Sequence, residues 1–86
     1  PPCKVGDKVY YINTRPHIVL RQNEIYEAKV VRIVALSLGV SLVIHTRGKY
    51  GCCETPDIRD WNETVFLTKA QAEQKLKEMR VDNAET

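Results

Sequence analysis

Histidine, serine and cysteine are scarce in this chain, and their scarcity narrows the chemistry open to it. The only serines are Ser37 and Ser41, and the only histidines are His17 and His45. No strand-turn-helix nucleophile elbow surrounds either serine. The cysteines number three, Cys3, Cys52 and Cys53, and two of them are adjacent. A disulfide framework uses an even, spaced set, and neighbouring cysteines do not bridge with relaxed geometry. Zinc sites repeat pairs of ligands two to four residues apart, a spacing that His17, His45 and the cysteines do not supply. Glycines at 6, 39, 48 and 51 form no phosphate cradle. The acids Glu54, Asp57, Asp60 and Glu63 lack the alternate spacing and central glycine of a calcium loop. The residues therefore predict no catalytic residue, no metal and no cofactor, and reduced thiols in a cytoplasm.

Long apolar runs are also missing. The longest are Ile18-Val19-Leu20 and Ile33-Val34-Ala35-Leu36, far short of the roughly 20 residues that a membrane-spanning helix needs. No basic stretch followed by an apolar core marks a signal peptide. A cytoplasmic protein with no membrane partner is the expectation. At 86 residues, 43% hydrophobic and 28% charged, the composition is that of one folded domain. The net charge of +2 hides an asymmetry: residues 1–52 carry +5 and the remainder −3.

What is present reads mainly as β-structure. Lys4-Val5-Gly6-Asp7-Lys8 is a turn that opens into a strand at Val9-Tyr10-Tyr11-Ile12. Asn13-Thr14-Arg15-Pro16 breaks that strand, because Pro16 removes a donor and restricts Arg15. His17-Ile18-Val19-Leu20 is expected to pair as a short strand. Residues 24–35 form the longest strand signal. Tyr26, Ala28 and Val30 share one face by period two, but the apolar set then continues at Ile33 instead of Arg32. A one-residue shift of this kind predicts a β-bulge and a strand that bends to serve two parts of a small barrel. A turn follows at residues 36–39, then a half-buried strand over Val40, Leu42 and Ile44. Residues 47–63 read as irregular, and Thr64-Val65-Phe66-Leu67 as a last short strand.

The helix signal is the clearest in the chain. Thr68 with Gln71 makes a capping box, Ala72, Leu76 and Met79 form one stripe, and Glu73 and Lys77 are set to pair. Lys77 and Arg80 sit where the negative helix end favours cations. The expected helix spans about 69–80 within a single domain of residues 1–81, with 82–86 as a frayed tail.

The motif Lys4-Val5-Gly6-Asp7-Lys8-Val9-Tyr10 resembles the first strand of SH3-like barrels in bacterial and phage proteins. The stretch Val65-Phe66-Leu67-Thr68-Lys69-Ala70-Gln71-Ala72-Glu73 is similar to the strand-to-helix ending of small proteins from Firmicutes, gut bacteria and their mobile elements. With the 26–33 strand the resemblance covers about half the chain. It implies a small SH3-like, five-stranded bent barrel with one C-terminal helix, and it brings no catalytic residues. The functional expectation is a non-catalytic protein-interaction module or small inhibitor that binds a host or phage protein. The alternative is a nucleic-acid-binding module that uses basic and aromatic residues. The candidate binding surface is Arg15, Arg21, Arg47, Lys49, Tyr50 and Trp61, although Trp61 reads first as a lid on the open end of a barrel.

Overall fold

A computed structural model describes residues 2–85, with side chains through residue 81. Five antiparallel strands follow in the order β1 (Lys8–Asn13), β2 (Glu24–Leu36), β3 (Gly39–Thr46), β4 (Cys53–Glu54) and β5 (Val65–Phe66). A single 3₁₀ turn, Ile58–Asp60, lies between β4 and β5, and the helix α1 spans Lys69–Glu85. The sheet order is β4-β3-β2-β1-β5, so the fold is mainly β with one C-terminal helix.

The sheet takes its shape from β2. Its first half pairs with β1, from Asn13 opposite Glu24 to Lys8 opposite Lys29. Its second half pairs with β3, and there the register slips: Val30 faces Ile44, but Arg32 faces Val43. Val31 is the extra residue, so the expected bulge is present. A bulge bends its strand and adds twist. The bend keeps Val30 and Ile33 on the same face despite the odd spacing. The β2–β3 hairpin turns through Ser37 and Leu38.

Alternation then gives the sheet two apolar faces. The inner face gathers Val9, Ala28, Val30, Leu42, Ile44 and Val65, with buried Cys3 beside them. The outer face of β1 and β5 presents Ile12 and Phe66, with Tyr10 and Ile25 beside them, to Ala72, Leu76 and Met79 of α1. Tyr10 and Tyr11 thus point to opposite faces, as period two requires. Burying a side chain such as Ile12 contributes on the order of 1.5–3 kcal/mol. From β4 the chain crosses to β5 at the other edge of the sheet, and on the way Ile58 and Trp61 pack on the inner core.

Several expectations are corrected. His17-Ile18-Val19-Leu20 is not a strand. The His17 imidazole Nδ1 accepts hydrogen bonds from the backbone N–H of both Val19 and Leu20, each at 3.0 Å, which removes those donors from any ladder. Ile18 is fully exposed. The strand that completes the five is instead Cys53–Glu54, inside the stretch expected to be irregular. It is set by Thr46, whose N–H donates to Cys52 O at 2.9 Å and whose Oγ1 accepts from Cys52 N–H at 2.8 Å. Gly51 permits this approach, because a Cβ there would lie 2.4 Å from Thr46 O.

The helix starts as expected: Thr68 Oγ1 accepts from Gln71 N–H and Gln71 Oε1 accepts from Thr68 N–H, both at 3.3 Å. It runs past 80 to Glu85, since nothing in Val81-Asp82-Asn83-Ala84-Glu85 is a helix stop. The expected frayed segment is therefore helical through Glu85, and Thr86 lies outside the described residues. Lys77 and Arg80 consequently sit before the last turn. Glu73 faces Lys69 at 4.0 Å and not the expected Lys77.

Leu76 anchors α1 on the sheet. Replacing it with Ala should lower stability by about 2–4 kcal/mol in urea denaturation, whereas exposed Glu73→Ala should change it by no more than about 0.5 kcal/mol. Equal stability of Leu76→Ala and the parent would show that the helix does not depend on this contact.

Candidate functional site

Two folded-back segments meet above one end of the inner face. The first is the loop of residues 14–23. It is held by Asn13, which is only 2% exposed. The Asn13 Nδ2 donates to Arg15 O at 2.8 Å and Arg21 O at 3.3 Å, and Asn13 O accepts from Asn23 N–H at 2.6 Å. Gln22 Nε2 donates to Thr14 O at 3.1 Å, and Arg21 N–H donates to the Tyr26 hydroxyl at 2.6 Å. Leu20 is buried beneath. The loop is ordered by its own polar groups, which leaves Ile18 and Val19 as an exposed apolar tip.

The second segment is residues 53–60. It lies along β3, where Leu42 N–H donates to Pro56 O at 2.8 Å. Asp57 and Asp60 form a reciprocal cap on the 3₁₀ turn: Asp57 Oδ1 accepts from Arg59 N–H and Asp60 Oδ2 from Asp57 N–H, both at 2.9 Å. Two of the four loop acids are therefore structural. The Arg59 guanidinium and backbone N–H hold the Asp57 carboxyl below the usual carboxylate range.

Between these segments lies a cleft of about 430 Å³, whose lining includes Tyr11, Asn13, Arg15, His17, Glu54 and Asp60. Because Glu54 faces Ile44 across the β3–β4 ladder, it lies on the inner face at the cleft floor. Its side chain is 19% exposed, and its Oε1 lies 2.7 Å from His17 Nε2. That contact is off the line a hydrogen bond needs, so the buried Oε1 has a close neighbour but no aligned donor. A buried carboxylate oxygen in this condition is costly unless a partner completes it. With Nδ1 accepting two backbone donors, the proton of a neutral His17 ring resides on Nε2. His17 thus braces the loop.

Burial, followed by the nearby carboxylates of Glu54 and Asp60, pushes the Tyr11 phenol above its ordinary value, while Arg15 acts in the opposite direction. The cleft is accordingly a partly desolvated, acid-rich place.

The expected site residues do not form one surface. Arg15 lines the cleft. Arg21 lies on the same loop, 3.9 Å from Glu24. Arg47 donates to Glu27 Oε2 at 3.0 Å on the opposite, outer face of the sheet. Lys49 Nζ lies 5.6 Å from the centre of the Tyr50 ring, and Tyr50 is 72% exposed. Trp61 is half-buried against the inner core, the position of a cap. The residues that sequence reasoning missed are His17 and Glu54. A histidine two positions before a loop amide was the available signal for the first. The second became visible only when β4 was placed. All three cysteines are free thiols: Cys3 is buried, Cys52 half-buried and Cys53 exposed. Burial raises the Cys3 thiol above its ordinary value, with Asp7 adding to the effect. Among the described residues, no helix is long and apolar enough to cross a membrane.

No known protein family, curated protein or solved structure matches this chain.

Tyr11 carries a pH prediction. A phenol whose folded value is raised holds its proton longer in the native state than in the unfolded one. Its contribution to stability is then complete below about pH 10 and is lost as pH rises through the raised value. Tyr11→Phe should flatten the alkaline fall in stability, followed by denaturant titration across that range. An alkaline limb identical to that of the parent protein would remove the assigned role of the cleft's carboxylates.

Proposed function

We propose that this chain is a non-catalytic, SH3-like interaction module, of the kind that acts as a small inhibitor in a prokaryotic or phage context, and that it grips a partner protein in the cleft between the 14–23 loop and residues 53–60. The sheet order β4-β3-β2-β1-β5 and the 3₁₀ turn before β5 support the SH3-like reading. The single observation that carries the docking assignment is the half-buried Glu54 carboxylate at the cleft floor, whose Oε1 has His17 Nε2 at 2.7 Å but no hydrogen bond of good geometry. A lysine or arginine side chain of an extended partner segment would pair with the accessible part of this carboxylate in a charge-assisted hydrogen bond. Ile18 and Val19, exposed on the same loop beyond the cleft-lining His17, offer that segment an apolar contact outside the cleft.

Several chemistry-bearing groups support a non-catalytic role because they are committed to structure. His17 is spent on the Val19 and Leu20 amides, Asp57 and Asp60 on each other's turn, and Cys3 on the core.

Selection of a random peptide library on the immobilised chain tests this. Binders should carry a lysine or arginine, should shift the amide resonances of Thr14 and Glu54, and should lose affinity at least about tenfold with Glu54→Gln, the low end for a buried charge-assisted bond. Peptides that bind Glu54→Gln equally well, or whose shifts avoid the cleft, would refute the assignment.

A further inference from the structure

The outer face of the sheet carries a second surface, distinct from the cleft. Register places Lys8 of β1 opposite Lys29 of β2, and Lys29 opposite His45 of β3. The three side chains therefore form one row across adjacent strands, on the same face by period two. Like charges directly opposite in a sheet are destabilising, so Lys8 and Lys29 are held against their own repulsion. One carboxylate relieves it. Glu27 lies 3.7 Å from Lys8 Nζ and accepts from Arg47 Nη1 at 3.0 Å. The Arg47 hydrogen bond, with Lys8 adding, holds Glu27 below the usual carboxylate range. Among the described residues, no carboxylate lies within ion-pairing distance of Lys29.

These groups line one shallow depression, with Val31 of the bulge at its side. α1 covers the other part of the outer face, around Ile12 and Tyr10, and leaves this part open. Three cations set against one carboxylate leave the depression two net charges positive. Gly51 lies directly against the His45 ring, where a Cβ would be 2.5 Å from Cε1. The preceding residue, Tyr50, is exposed and flanked by Lys49. An exposed aromatic residue thus adjoins in sequence the glycine that packs against the strip at His45.

We infer that this depression binds the phosphate backbone of single-stranded nucleic acid, with Tyr50 as a stacking face for a base. Charge complementarity calls for a polyanion, since several phosphates would relieve the Lys8–Lys29 repulsion and engage Arg47 at once. The adjoining ring favours a strand with exposed bases, because every base offers a face to stack on. An anionic membrane would call for apolar side chains to insert, and Val31 is the only large one lining the depression.

Fluorescence anisotropy with labelled oligothymidylate and oligouridylate tests the inference. Three neutralised phosphates predict a slope of log affinity against log salt of about −2, from roughly 0.7 per contact on single strands. Lys29→Ala with Arg47→Ala should cut that slope to about −0.7. Tyr50→Ala should weaken binding roughly fivefold or more and leave the slope unchanged. Arg15→Ala with Arg21→Ala, on the other side of the sheet, should change neither. All these side chains are exposed, and a thermal melt of each variant verifies that it folds. Absence of binding near 50 mM salt would overturn the inference. So would equal losses from the Arg15 and Arg21 pair, or retention by phosphatidylserine vesicles with no retention of the oligonucleotides.

Discussion

Strand β2 must satisfy two ladders that cannot lie in one plane over a core this small. Its first half belongs to β1 and its second to β3, and only residues 28 and 29 pair on both sides. The extra residue Val31 lets the strand turn between them without moving any apolar side chain to the wrong face. The consequences reach each surface described above. The inner face closes over Val9, Val30, Leu42 and Ile44. The β4–β5 connection is then short enough to cross the open end and to set Trp61 against the core. The outer face is left in two parts, one under α1 and one open.

The two open surfaces differ in kind because the charge asymmetry of the sequence is also a spatial one. Three of the basic groups of residues 1–52, Lys8, Lys29 and Arg47, meet on the outer face. The acidic excess of the later residues borders the inner-face cleft through Glu54, Asp57 and Asp60. A cationic protein segment and a polyanion would thus be directed to opposite sides of one sheet. Steering of this sort depends on local charge and is little affected by a net charge near zero.

Much of this architecture was legible in the residues. The slip of the apolar set from Val30 to Ile33 is a local pattern, and a bulge is its direct consequence. The Thr68–Gln71 box fixed the helix start for the same reason: both partners lie within one turn. What escaped depends on side-chain hydrogen bonds to the backbone or on partners distant in sequence. The apolar run Ile18-Val19-Leu20 looks like a strand until His17 takes its amides. The two-residue β4 has no pattern of its own and exists because Thr46 and Gly51 dock Cys52. The grouping of Lys8, Lys29 and Arg47 follows from register, and register is a property of the folded sheet.

Deletion of Val31 tests the central claim most directly, because it restores strict alternation from Ala28 through Ile33 and removes only the extra residue. If the bend is what allows one strand to serve both ladders, the shortened chain should lose more than about 2 kcal/mol of stability in urea denaturation, and Trp61 should become exposed to solvent quenchers. A deletion variant as stable as the parent protein, with Trp61 still shielded, would contradict the account.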